Sequence, residues 1–131
     1  MNERNVSMRT PIGRVRGLGS ARAGTTHFWR QRLTSVALVP LTIAFVLIVV
    51  ALLGRNHAAV VQVLGLPLVA IAMILFIGTS VYHMWLGMQA VIEDYVHDER
   101  WKLAMAMSNT FFSIAMGISA LYAILKICFG L

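Results

Sequence analysis

Charged residues are scarce in this sequence, and cysteine is nearly absent. Of its 131 residues only 12% are charged and 59% are apolar, whereas an average soluble domain has about 25% charged and about 45–50% apolar residues. A soluble domain this small buries only about two-thirds of its surface, so it has no place for so many apolar side chains. The single Cys128 excludes an internal disulfide and a self-contained cysteine cluster for zinc or iron–sulfur. The composition indicates a membrane protein and excludes a disordered chain or a disulfide-stapled secreted domain.

Basic residues outnumber acidic residues by 11 to 5, which gives a net charge of +6. A basic balance alone is compatible with nucleic-acid binding, but seven arginines lie within the first 32 residues, before a long uncharged run. This placement is typical of a cytoplasmic flank that follows the positive-inside rule. We therefore predict that residues 1–32 form a basic, extended cytoplasmic arm, not a signal peptide, and that the chain binds no nucleic acid.

Three uncharged runs, at 33–53, 58–92 and 103–125, predict three transmembrane helices. Each run is long enough to cross about 30 Å of hydrocarbon at about 1.5 Å per residue. The second run is too short for two spans, so we interpret it as one long, tilted helix that starts near Pro67 or a turn earlier and ends near Tyr95. The sequence predicts an all-α membrane protein with its N-terminus inside. Residues 33–131 form the anchor, with helices at about 33–53, 64–94 and 101–127.

His83 lies deep inside the second predicted helix, about 18 Å from the helix end at Tyr95. A polar ring at that depth must find a partner, and intramembrane ionisable residues are functional by default. A neutral imidazole is a good ligand for haem iron; the alternative is a histidine that hydrogen-bonds to a neighbouring helix. Small residues on the same helix face would admit either a flat macrocycle or another helix. These residues are Thr79, Ser80, Gly87 and Ala90.

Other candidate residues lie at the predicted helix ends. A neutral Tyr95 hydroxyl suits a quinone carbonyl and the adjacent Asp94 suits a proton relay, although both residue types are common at membrane interfaces without such roles. His27, Arg30 and Arg32 form a basic cluster before the first helix. This cluster could contact haem propionates, a quinone, a partner subunit or anionic lipid headgroups.

The remaining polar residues favour structural roles. His57 and His97 lie in predicted loops, where we expect them to be solvated. Ser113 and Gly117 form a pair of small residues four apart on the third helix, which predicts a helix contact.

The segment YHMWLGMQAVIEDYV, residues 82–96, resembles the smaller cytochrome b membrane anchor of succinate dehydrogenase (respiratory complex II). That family carries the pattern H-x-W-x-G-M-x-x-x-x-x-D-Y, which this segment meets from His83 to Tyr95. The stretch RTPIGRVRGLGSARAGTTHFWRQRLT, residues 9–34, is similar to the alphaproteobacterial branch of the family. Chain length, the three helices and the inside N-terminus also agree with this family.

The resemblance implies roles for individual residues. His83 matches the axial ligand of haem b, whose other axial histidine is supplied by the larger cytochrome b anchor subunit. Tyr95 matches the tyrosine that hydrogen-bonds ubiquinone, with Asp94 beside it. Arg32 falls where the family has an arginine near the haem propionates or the quinone pocket.

The resemblance also implies a complex in the inner membrane. The flavoprotein and iron–sulfur subunits would dock on the cytoplasmic face, and electrons would reach ubiquinone as part of the respiratory chain and the tricarboxylic acid cycle. The chain would pack with the second anchor subunit into a helical bundle and would catalyse nothing by itself. Three alternatives stay open: the anchor of a quinol:fumarate reductase, a haem-free structural anchor, and a small transporter.

Overall fold

The computed structural model describes residues 10–17 and 25–130, and all regular structure within them is helical. Residues 1–9 and 18–24 of the predicted arm lie outside these ranges. The helices are α1 (Pro11–Val15), α2 (Thr26–Leu52), α3 (His57–Leu64), α4 (Pro67–Tyr95) and α5 (Glu99–Phe129). Helices α2, α4 and α5, with 27, 29 and 31 residues, are long and apolar enough to cross a membrane. The predicted all-α fold with three spans is confirmed.

Helix α4 is the middle helix, because it packs against both α2 and α5. The pairing with α2 is antiparallel. Phe45 stacks on Phe76 with ring centroids 4.5 Å apart, and the earlier Thr34 meets the later His83. Residue numbers thus rise along one helix as they fall along the other.

The antiparallel packing gives the bundle two distinct ends. The proximal end holds the start of α2 at Thr26, the end of α4 at Tyr95 and the start of α5 at Glu99. The distal end holds Leu52 of α2 and Pro67 of α4.

Helix α2 begins at Thr26, seven residues before the expected start at 33, so it includes Arg32. A run without charges marks the hydrocarbon layer, whereas a helix can continue into the headgroup region, where charged side chains are solvated. The helix also continues through Pro40. Within the arm predicted as extended, Pro11–Val15 is helical and is capped by the hydroxyl of Thr10.

The second uncharged run is divided between two helices. We expected one helix that starts near Pro67 or a turn earlier and ends near Tyr95. Helix α4 spans Pro67–Tyr95, and α3 precedes it as a separate short helix. Asn56 caps α3 by accepting a hydrogen bond from the Ala59 backbone N–H at 2.9 Å. The break follows from Pro67, because the residue before a proline is disfavoured in helical conformation. Leu66 accordingly is extended, with φ −65° and ψ 129°. Proline itself suits the first turn of a helix, since an N–H there would have no partner.

A short turn joins α4 to α5 at the proximal end. The carboxylate of Asp98 caps α5 by accepting hydrogen bonds from the backbone N–H groups of Arg100 and Trp101, at 2.9 and 3.2 Å. The Lys102 ammonium donates to the backbone carbonyl of Glu93 at 3.1 Å. These bonds fix where α5 starts relative to the end of α4.

Few side chains are buried within the described residues, and half of those are polar. The buried apolar residues are Ala70, Leu86 and Ile92, and the buried polar residues are Thr34, Asn109 and Ser113. Most large apolar side chains lie on the outside of the bundle, as lipid-facing side chains do. Because lipid is as apolar as leucine, close packing and hydrogen bonds hold such helices together.

Candidate functional site

His83 contacts α2 through its imidazole ring. Nδ1 lies 2.8 Å from Oγ1 of Thr34, a residue that is only 9% exposed. The same Oγ1 lies 2.9 Å from the backbone carbonyl oxygen of Arg30 and 3.0 Å from that of Gln31. Nε2 of His83 makes no hydrogen bond within the described residues, and it is not closed off as a buried atom. The half-buried ring therefore has one partnered nitrogen and one free nitrogen.

Gly87 lies one turn beyond His83 and faces α2. A Cβ atom at this position would stand 3.6 Å from Nε2 of Gln31. The small residues on this helix face were expected to admit either a flat macrocycle or another helix. The contact at Gly87 fits the close approach of another helix.

A row of polar side chains on α2 leads from His83 towards the proximal end. His27, Gln31 and Thr34 are spaced by four and three residues, so they share one helix face. Nε2 of His27 and Oε1 of Gln31 are buried without a hydrogen-bond partner. Buried polar groups are normally paired with protein or ordered water, so these atoms mark places where a water or another polar group completes the structure. The sequence reasoning missed Gln31 and Thr34, whose spacing becomes a signal only when the helix is known to start at Thr26.

Asp94 and Tyr95, two of the predicted residues, lie at the proximal end and away from His83. Tyr95 is 77% exposed and Asp94 is also exposed. The exposed Arg32 holds its guanidinium over the ring of Phe28, 5.0 Å from the centroid. Twelve residues separate Tyr95 from His83, which is about 18 Å along a helix. The structure thus has a mid-bundle position at His83 and a separate exposed pair, Asp94 and Tyr95, at the proximal end.

Trp85 connects α4 to α5. Its indole Nε1 donates to Oγ1 of Thr110 at 3.1 Å, and its backbone carbonyl accepts from Nδ2 of Asn109 at 3.2 Å. Its ring also stacks on Tyr82 of the same helix, with centroids 5.8 Å apart. These bonds fix the register of α5 on the side of α4 that does not carry the Thr34 contact.

An open apolar groove of about 560 Å³ also lies between α4 and α5. Ser113, only 4% exposed, lines this groove, and its hydroxyl is buried without a partner. A Cβ atom on Gly117 would stand 3.5 Å from the Val81 side chain. The helix contact predicted from Ser113 and Gly117 is confirmed.

Metal binding by several side chains of this chain has no support in residues 10–17 and 25–130. No group of three or more His, Cys, Asp or Glu residues comes together there. His57 and His97 are both exposed, although His57 begins α3 and does not lie in a loop.

Comparisons with known proteins agree with one another. Residues 6–120 match the family described as succinate dehydrogenase/fumarate reductase transmembrane subunit. The succinate dehydrogenase hydrophobic membrane anchor subunit of Paracoccus denitrificans is 31% identical over 121 residues, which cover 92% of this chain and 93% of that protein. Its namesake in Rickettsia bellii is 28% identical over 116 residues, with 88% and 93% covered. The succinate dehydrogenase membrane anchor subunit of Reclinomonas americana is 28% identical over 85 residues, with 63% and 71% covered. No solved structure gives a significant match.

Proposed function

The chain belongs to the succinate dehydrogenase/fumarate reductase transmembrane subunit family, as a multi-pass membrane anchor of the succinate dehydrogenase type, and from this premise we propose that it helps to bind haem b and ubiquinone. The complex is then a succinate:ubiquinone oxidoreductase of the respiratory chain and the tricarboxylic acid cycle. In this proposal the chain supplies a haem ligand, part of a quinone site and an anchor, and it is not catalytic alone.

The haem part of the proposal rests on one observation, the hydrogen bonding of the two ring nitrogens of His83. A half-buried imidazole inside an apolar helix, with Nδ1 partnered and Nε2 free, fits an axial ligand of haem iron. When bound, haem b supplies one-electron redox chemistry at a potential that depends on its axial ligands. By the family pattern, the second axial histidine would come from the larger cytochrome b anchor subunit.

Arg32 is the residue we propose for a haem propionate. A guanidinium forms strong, charge-assisted hydrogen bonds with carboxylates. Its place above the Phe28 ring restrains the side chain near the proximal end. Arg32 lies two residues before Thr34, which contacts His83, so its position along α2 and the family pattern support this assignment.

Tyr95 and Asp94 are the residues we propose for ubiquinone. The Tyr95 hydroxyl is a hydrogen-bond donor at neutral pH and suits a quinone carbonyl. Asp94 beside it provides a carboxylate that can pass protons towards a reduced quinone. Both side chains are exposed, so a substrate and a docking subunit can reach them.

We place the proximal end at the cytoplasmic face of the inner membrane, where the iron–sulfur and flavoprotein subunits would dock. The charge distribution supports this orientation. Segments 1–32 and 93–102 carry nine Lys and Arg residues. The distal end carries Arg55, in the connection after α2, and Lys126, in the last turn of α5.

The haem assignment is tested in the complex purified through an affinity tag on this chain. The measurement is the dithionite-reduced minus oxidised absorption spectrum. We expect a b-type signal that is lost or shifted by His83→Leu and unchanged by the control His97→Leu, since His97 is exposed in the turn after α4. A normal haem content and spectrum in His83→Leu would contradict the ligand assignment. Absence of haem from the native complex, with its partner subunits present, would indicate a haem-free anchor.

The quinone assignment is tested with Tyr95→Phe, which removes the hydroxyl and keeps the ring. We expect lower succinate:quinone reductase activity, while oxidation of succinate by an artificial acceptor stays normal. The matched control is Tyr122→Phe, at an exposed tyrosine on α5 far from the proximal end. Equal loss of both activities would mean that Tyr95 serves assembly and not quinone binding.

A further inference from the structure

The hydroxyl of Thr34 has one proton and three polar neighbours. Two of them, the carbonyl oxygens of Arg30 and Gln31, are 2.9 and 3.0 Å away and can only accept hydrogen bonds. The third, Nδ1 of His83, is 2.8 Å away and can donate or accept, depending on the tautomer of the ring.

One distribution of protons satisfies this arrangement. If the hydroxyl donated to Nδ1, its oxygen would face two carbonyl oxygens at hydrogen-bond distance with no proton between them. If it donates to a carbonyl, as threonines in helices often do, its lone pair can accept from an Nδ1–H group. Because Thr34 is buried, little water can reach its hydroxyl to relieve a mismatch, so the second arrangement is strongly favoured.

We propose that Thr34 is a positioning residue that fixes the tautomer of His83. A neutral imidazole carries its proton on one nitrogen. With that proton on Nδ1 and bonded to Thr34, Nε2 presents its lone pair on the open side of the ring. This inference rests on the proposed haem function, since it explains how α2 prepares a residue of α4 to bind iron.

The hydrogen bond also affects the electronic properties of the ligand. A ligating histidine that donates its other N–H to an acceptor is a more basic ligand, and loss of such a partner typically lowers metal affinity by about 10–100-fold. A more basic imidazole favours ferric over ferrous iron. Removal of the Thr34 hydroxyl should therefore raise the midpoint potential of the haem and weaken haem binding.

The test uses the whole purified complex with three variants on α2. Thr34→Val keeps the shape of the side chain and removes the hydroxyl, whereas Thr34→Ser keeps the hydroxyl. Ser35→Ala is the matched control, because the Ser35 hydroxyl donates to the carbonyl of Gln31 in its own helix. The measurements are the haem content per chain, the haem affinity and the midpoint potential by redox titration.

We expect Thr34→Val to raise the midpoint potential and lower haem affinity about 10–100-fold, with Thr34→Ser and Ser35→Ala close to the native complex. If Thr34→Val does not assemble, Thr34→Ala removes the same acceptor with a smaller side chain and is expected to shift the potential in the same direction. A native potential and affinity in Thr34→Val or Thr34→Ala would overturn the proposal. Equal changes in Thr34→Val and Thr34→Ser would also overturn it, because the hydroxyl would then not be the cause.

His83→Leu, measured alongside, separates this inference from the proposed function. If His83→Leu loses haem and Thr34→Val does not change it, only the role of Thr34 is wrong. If His83→Leu keeps haem with a native spectrum, the haem-ligand assignment itself fails.

Discussion

Replacement of Gly87 tests whether the close approach of α2 and α4 is what holds His83 in place. A Cβ atom at position 87 would lie 3.6 Å from Nε2 of Gln31, an ordinary van der Waals distance. Gly87→Ala therefore fits without movement and gains up to about 1 kcal/mol of helix propensity. Leucine adds three more carbons, the first about 1.5 Å beyond Cβ. These carbons must displace the Gln31 side chain or push α2 away from α4.

The neighbouring hydrogen bond allows little displacement. The Thr34–His83 distance is 2.8 Å, and a contact of 3.6 Å is no longer a hydrogen bond, so a separation of about 0.8 Å breaks it. Overpacking of this kind costs about 1–3 kcal/mol. The lost interhelical hydrogen bond adds about 0.6 kcal/mol, and at most about 1.7 kcal/mol. We therefore expect Gly87→Leu to destabilise the α2–α4 interface by about 2–4 kcal/mol.

The assay is haem content per chain and thermal denaturation of the purified complex. Gly78→Leu is the matched control, because Gly78 lies on the same helix and a Cβ atom there meets nothing within 4 Å. We expect native behaviour for Gly87→Ala and a loss of haem and stability for Gly87→Leu that exceeds any change in Gly78→Leu. Equal behaviour of the two leucine variants would refute the idea that Gly87 sets the helix spacing.

Two other substitutions test the interactions that hold α5 in position against α4. Asp98→Ala removes the cap of α5 and leaves the N–H groups of Arg100 and Trp101 without their partner, so the complex should lose about 1 kcal/mol of stability. Asp98→Asn should retain the cap, and a native melting temperature in Asp98→Ala would contradict this role. Asn109→Leu removes the bond to the Trp85 carbonyl and should cost about 0.6 kcal/mol, and at most about 1.7 kcal/mol. The control is Ser108→Leu, at an exposed serine next to Asn109 on α5, measured in the same thermal denaturation. Equal melting temperatures for these two leucine variants would show that the Asn109 hydrogen bond contributes nothing.

The number of membrane spans was predictable because charged side chains are excluded from hydrocarbon. The helix ends were less predictable, since helices continue into the headgroup region, as α2 does by starting at Thr26. The start of α4 at Pro67 was predictable, whereas the separate helix α3 before it was not predicted. Asn56 is a favoured N-cap residue and Pro67 restricts Leu66, so together they indicate a separate short helix.

The candidate site was predictable only residue by residue. His83 is conspicuous because a histidine is rare inside an apolar run, whereas Thr34 resembles any polar residue near a helix start. These two residues are 49 positions apart, and only the register between α2 and α4 brings them together. That register depends on close packing along both helices, which no local sequence pattern specifies.

The small interior of this bundle has a consequence for how its sequence can change. Lipid accepts almost any apolar side chain, so outward positions that face lipid, and not a partner subunit, can exchange leucine, valine, isoleucine and phenylalanine at little energetic cost. The alignment of the helices depends instead on a few small and polar side chains, such as Thr34, Gly87 and Asn109. A small number of positions therefore determine how the helices pack. A substitution scan should show that most positions tolerate many residue types and that a few tolerate almost none. Proteins built in this way can diverge far in sequence and still assemble in the same manner.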